Sequence, residues 1–123
     1  MKLIINHSSM QPIYEQIGDQ IKEKIMHGIL KADTPLPSVR TLAKELKVSA
    51  LTVKKAYDAL EEEGFVITIH GKGSFVAFAD QELMLEEKKK EVEADLEMAI
   101  RKGKSWGMTD QELLELFQIV LED

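Results

Sequence analysis

Residues 36–77 read LPSVRTLAKELKVSALTVKKAYDALEEEGFVITIHGKGSFVA. Val39, Leu42, Ala43 and Leu46 stand at the i, i+3, i+4, i+7 spacing of one apolar helix face. After a break at Lys47-Val48-Ser49, the residues Val53, Ala56, Tyr57 and Leu60 repeat that spacing. Gly64 ends the second helix, and two β-rich runs, Phe65–Ile69 and Ser74–Phe78, flank His70-Gly71-Lys72-Gly73. Helix, tight turn, helix and hairpin in that order are the sequence form of a winged helix-turn-helix.

Working outward, the stretch before this core predicts a helix over about Pro12 to His27, with Ile13, Ile17, Ile21 and Ile25 as its apolar stripe. Pro12 suits a first helical position, where its missing N–H costs nothing. Gly28 supplies a left-handed closing residue, and 31–37 read as a loop. Ser38 and Ser49 are the expected N-caps of the next two helices. Beyond residue 80 the pattern changes. Asp80 to about Arg101 predicts a long charged helix with an apolar line at Leu85, Val92, Leu96 and Ala99 or Ile100, and Glu86 can pair with Lys90. Gly103 to Met108 breaks that pattern, and Thr109-Asp110-Gln111-Glu112 has the form of a capping box. A last helix follows with Leu113, Leu114, Leu116, Phe117, Val120 and Leu121, apolar over much of its circumference. About 44 residues rarely fold as an isolated core, so this tail calls for pairing with a second copy on a two-fold axis.

Composition narrows the function class. The 123 residues contain no cysteine, which excludes disulfides, thiolate nucleophiles and cysteine metal sites. There is no apolar run long enough for a membrane span and no leader resembling a signal peptide, so a cytoplasmic protein without membrane partners is expected. The three histidines, His7, His27 and His70, share no metal-ligand spacing, and neither a GxxxxGK loop nor a GxSxG elbow occurs. No enzyme activity, cofactor or metal is expected. Net charge is −6, but residues 1–79 carry ten Lys/Arg against nine Asp/Glu while 80–123 carry six against thirteen. The acidity lies in the tail, and the balance leaves the first domain open to a polyanion.

LPSVRTLAKEL, then VS-x-x-TV-x-KAY-x-x-LE-x-EG, then HGKGSFVA, resembles the DNA-binding domain of the GntR family of bacterial transcription regulators. Pro12 to Ile17 and Gly28 to Leu30 extend the likeness, which covers roughly residues 10–78. A tail of two helices is similar to that of the YtrA subfamily, whose members use it to dimerise. The resemblance implies DNA contacts from Arg40 on the first helix of the pair and Ser49 and Lys54 on the recognition helix. It implies them also from His70, Gly71 and Lys72 in the wing. Ala50, Thr52 and Lys55 lie in the same turns of the recognition helix, with Thr52 suited to the helix terminus or a phosphate. Two residues depart from the family: Lys47 replaces a usual glycine in the turn, and Ala50 replaces an arginine common in relatives. Alanine cannot make the bidentate contact to guanine, though it can pack on a thymine methyl.

The expected fold class is α+β. A winged helix-turn-helix domain occupies 1–79 (helix-turn-helix about 38–63, wing about 65–78), and a small all-α dimerisation tail occupies 80–123. Leu85, Val92, Leu96, Trp106, Leu113, Leu116, Phe117 and Val120 are the expected dimer residues. The expected function is sequence-specific binding to an inverted-repeat operator on double-stranded DNA as a homodimeric repressor. An unknown small-molecule effector, in the dimer tail or between the tail and the DNA-binding domain, is a further expected partner that no residue constellation identifies. The alternative is a winged-helix module that docks proteins without binding DNA. The cations Arg40, Lys44, Lys47, Lys54, Lys55 and Lys72 favour DNA, because a docking platform has no need of them.

Overall fold

The computed structural model describes residues 1–77 and 81–123. Phe78, Ala79 and Asp80, where the sequence puts the end of the wing and the start of the fourth helix, lie outside the described residues. The chain divides into two compact units, Met1–Ala79 and Asp80–Asp123.

The first unit runs α1 (Ile13–Met26), α2 (Val39–Leu46), α3 (Ala50–Glu62), β1 (Val66–Ile69) and β2 (Gly73–Val76). Both α1 and α2 pack on α3. The expected stripes meet there: Ile17, Ile21, Ile25, Leu42, Val53, Ala56 and Leu60 are each no more than 1% exposed. Each large aliphatic side chain so buried contributes about 1.5–3 kcal/mol of transfer free energy. The strands form an antiparallel hairpin in which Val66 faces Val76, and both are buried against the helices.

Caps and turns follow the residue chemistry. Ser38 Oγ accepts the amide of Thr41 at 3.1 Å and Ser49 Oγ that of Thr52 at 3.1 Å, so each helix of the pair begins on a serine cap. Lys47 closes α2 in the left-handed region at φ 56°, ψ 45°. Without glycine there, the turn carries a strain on the order of 1 kcal/mol. Pro12 corrects one expectation: it is the N-cap, with ψ of 146°, and its carbonyl accepts the amides of Glu15 and Gln16. The hairpin strands are also shifted, beginning at Val66 and Gly73 where Phe65 and Ser74 were expected.

Two long-range arrangements hold the unit's edges. The segment read as a plain loop pairs with β2 instead. Asp33 N–H donates to Val76 O, Val76 N–H to Thr34 O, and Leu36 N–H to Ser74 O, each at 2.9 Å. Tyr57 adds a clasp from α3, its hydroxyl donating to Pro37 O at 2.7 Å, and burial pushes its ionisation well above the ordinary range, with Glu45 adding to the effect. At the N-terminus, side-chain amides replace a neighbouring strand. Gln20 accepts the Ile4 amide and donates to the Ile4 carbonyl at 2.8 and 2.7 Å, while Gln16 does the same for Asn6 at 2.8 and 2.9 Å.

The second unit has α4 (Gln81–Ser105) and α5 (Asp110–Glu122). Helix α4 corrects the expected stop near Arg101, passing through Gly103 for another turn. The glycine is needed for close approach: a Cβ there would lie 2.6 Å from Leu113 Cδ2 and 3.3 Å from Met108 Sδ. The chain then turns at Trp106-Gly107, with Gly107 at φ 88°. The capping box is complete, with the Glu112 amide donating to Thr109 Oγ1 at 3.2 Å and the Thr109 amide to Glu112 Oε1 at 3.0 Å. The bond from the Thr109 backbone, aided by its hydroxyl, holds the Glu112 carboxyl below the usual carboxylate range. Glu86 pairs with Lys89 at 3.6 Å rather than with Lys90, and Arg101 with Glu97 at 2.6 Å. Exposed pairs of this kind are worth under about 1 kcal/mol each. No residue of α5 is buried, and Leu114, Leu116, Phe117, Ile119, Val120 and Leu121 are 46–69% exposed.

Candidate nucleic-acid interface

The cap on Ser49 fixes which side chains the recognition helix presents. With Val53, Ala56, Tyr57 and Leu60 buried, successive residues rotate about 100° around the axis, so Leu51, Lys54 and Lys55 emerge on other faces, while Ala50 lies about 60° from Val53 at the open end of the helix. All four are exposed, and Leu51 is 77% so. Thr52 is half-buried beneath the cap, its hydroxyl 2.8 Å from that of Ser49. Ser38 and Thr41 repeat that hydroxyl pair at 2.8 Å at the head of α2, and Arg40 between them is exposed.

The lysines are less uniform than their spacing suggests. Lys54 Nζ lies 2.8 Å from Asp58 Oδ2, one turn along α3, and this hydrogen bond and charge raise its pKa above the ordinary value. Lys55 Nζ stands 4.1 Å from the centroid of the Tyr14 ring on α1. That contact draws the ammonium toward the first helix. Lys44, Lys47 and Lys72 are exposed. At the far end of α3, Glu63 pairs with Lys22 of α1 at 2.7 Å, which holds one of the domain's carboxylates to the opposite end of the helix.

The wing tip is His70-Gly71-Lys72, and all three residues are exposed. Lys72 N–H donates to Ile69 O at 2.9 Å, closing a turn in which Gly71 has φ 80° and Gly73 φ 108°. A side chain at either position would be strained, so both glycines serve backbone geometry. Among the described residues, no cluster of three or more His, Cys, Asp or Glu could hold a metal ion, and no helix is long and apolar enough to cross a membrane. Two partners escaped the sequence reading. Asp58 was legible as an i, i+4 neighbour of Lys54, whereas no local signal could place Tyr14 under Lys55.

Three helices on one core, a capped helix with an exposed N-terminal turn and a glycine-tipped wing define a winged helix-turn-helix DNA-binding regulator of transcription. The model for bacterial regulatory proteins of the gntR family matches residues 13–76, and the chain belongs to that family. Over 119 residues it is 34% identical to the HTH-type transcriptional repressor YtrA of Bacillus subtilis (strain 168), covering 97% of this chain and 92% of the relative. The crystal structure of a transcriptional antiterminator from Listeria monocytogenes EGD-e is similar at a TM-score of 0.73 and 33% identity, over 98% of this chain and 90% of that one. The DNA-binding domain of AraR, solved in complex with operator ORX1, is similar at a TM-score of 0.56 and 28% identity, over 63% of this chain and 96% of that one.

Proposed function

We propose that the protein is a cytoplasmic repressor that binds an inverted-repeat operator as a two-fold homodimer. Residues 1–79 bind DNA and 80–123 hold the two copies together. The observation that carries this reading is α5, none of whose residues is buried and whose Leu114, Leu116, Phe117, Ile119, Val120 and Leu121 are open to water within one chain. A self-complementary patch related by a two-fold axis covers such a helix at no cost in new sequence. Leu85, Val92 and Leu96 of α4, Trp106 in the turn, and Leu113, Leu116, Phe117 and Val120 of α5 line the interface, with Leu113 shared between it and the chain's own Gly103.

Each domain of the dimer lays the first turns of α3 in the major groove of one half-site. Ser49, Ala50, Thr52 and Lys54 face bases or the adjoining phosphates, and Arg40 approaches from α2. Lys55 reaches the duplex only by leaving the Tyr14 ring. His70, Gly71 and Lys72 bring the wing to the neighbouring backbone. Repression follows from occupancy of promoter DNA and requires no chemistry. Similarity to the YtrA repressor supports the sign of regulation, and the operator complex of AraR supports the ligand.

Light scattering and footprinting on bound genomic fragments test this together. A mass twice 13.9 kDa and a protected site with two-fold symmetric sequence are expected. A monodisperse monomer at micromolar concentration, or protection without symmetry, overturns it.

A further inference from the structure

We infer that Leu51, with Ala50 beside it, selects the operator by packing on thymine 5-methyl groups in the major groove. This rests on the DNA-binding reading above and adds the chemistry by which one part of each half-site is chosen.

The polar side chains at the head of α3 are already engaged. Ser49 Oγ accepts the Thr52 amide at 3.1 Å and shares a hydrogen with the Thr52 hydroxyl at 2.8 Å. Lys54 is held 2.8 Å from Asp58, and Lys55 stands over Tyr14. The exposed residues left without polar partners are Ala50 and Leu51, and both are apolar. Two residues before the buried Val53, Leu51 lies about 200° around the helix from it, on the side away from the core. At 77% exposure, a leucine there contributes nothing to the packing of its own unit.

The surroundings say what covers it. Arg40, Lys44 and Lys47 are exposed in the same helix pair, so the occupant is a polyanion and not an apolar protein surface. On the floor of a DNA major groove the apolar group is the thymine C5-methyl. Removing one methyl from water corresponds to about fourfold in affinity, so a symmetric pair of half-sites doubles the free energy and gives about sixteenfold.

The test uses the full-length protein and an operator selected from randomised duplex. Each thymine in that operator is replaced in turn by deoxyuridine, which deletes the methyl and keeps every hydrogen-bonding group. One thymine per half-site is expected to weaken wild-type binding about fourfold singly and about sixteenfold as a symmetric pair. The same replacements should cost Leu51→Ala clearly less than the wild type, because the leucine's contact is gone and only the smaller Ala50 remains. The uracil arm changes nothing in the protein, and Leu51→Ala, at an exposed site, should melt like the wild type. If every thymine can be replaced without loss, or if wild type and Leu51→Ala lose equally, the inference is overturned and sequence-specific DNA binding still stands. A protein that enriches no sequence overturns both.

Discussion

The two units of this chain treat apolar side chains in opposite ways. In α1 and α3 the aliphatic stripes are closed off from water, whereas in α5 the residues at comparable spacing lie open. Helical propensity does not distinguish them, since α5 has a complete capping box and α1 has no side-chain cap at all. The difference lies in what each helix packs against. The first unit is complete within one chain, and the second is energetically unfinished until another surface arrives. Local helix signals therefore report where helices form and say little about whether the core they belong to is made by one chain or by two.

The contrast is most severely tested by Leu116→Glu with Phe117→Glu. If α5 is half of a shared core, the variant should be monomeric while the first unit keeps its fold. Operator affinity should then fall roughly 10²- to 10⁴-fold as two linked half-site contacts become one. Light scattering and gel shift together decide this. Retained dimers would show that the open face of α5 serves something else.

Two helical glycines sharpen the comparison at smaller scale. At Gly103 an added methyl would strike the end of the half-exposed Leu113 side chain, so Gly103→Ala should destabilise the tail by a net of under about 2 kcal/mol, overpacking less what alanine gains over glycine in a helix. Gly18 of α1 lines an open groove of about 320 Å³ with Tyr14 and Ala59, and a methyl there meets nothing within 4 Å. Gly18→Ala should stabilise the first unit by about 0.5–1 kcal/mol through lost freedom in the unfolded chain. Thermal melts of opposite sign are the expected result, and shifts of the same sign would contradict the packing described for one of the two helices.

Within the first unit, Asp58 holds the Lys54 ammonium, and if Lys54 contacts DNA, Asp58 and the duplex compete for it. Asp58→Asn should free the ammonium and strengthen binding to random duplex by less than about 1 kcal/mol, an effect that added salt should erase. Lys54→Ala should instead cost roughly 1–3 kcal/mol on the operator if it reads a base. Equal losses on operator and random DNA would make it a backbone contact.

The smallest effect belongs to the tail's cap. Because the folded Glu112 carboxyl is held below its ordinary value, its contribution is present above that value and is lost as pH falls through the lowered one. Glu112→Gln retains an acceptor for Thr109 and removes the titration. Its helicity by circular dichroism should decline less steeply with acid than that of the wild type, and an unchanged acid limb would mean the charge contributes nothing to the cap.

Much of the first unit was legible because its signals are local. The stripes of Ile17, Ile21 and Ile25 and of Val53, Ala56 and Leu60 follow helix periodicity, and Ser38 and Ser49, like Thr109 in the second unit, cap where their hydroxyls can reach the third amide. The strained Lys47 could also be anticipated, since a left-handed turn does not depend on distant residues. What escaped depends on partners remote in sequence. Backbone pairing of 33–36 with β2 leaves no pattern in the side chains. Nothing local marks Gln16 and Gln20, yet their amides hold Asn6 and Ile4 respectively. Gly103 reads as a helix breaker until Leu113 is seen to need its space. At the interface, the positions of Lys54 and Lys55 were readable and so was the helical spacing of Lys54 and Asp58, but the seat of Lys55 over Tyr14 emerged only from the folded arrangement.

Trp106 is the chain's one tryptophan, 83% exposed in the turn between α4 and α5. Excited at the red edge of tryptophan absorption, where Tyr14 and Tyr57 do not absorb, the protein reports from the second unit and not from the DNA-binding domain. Emission should sit to the red in dilute monomer and move to the blue as copies associate, so a dilution series reads assembly without any label. Added operator should then disturb the signal only to the extent that it draws monomers together.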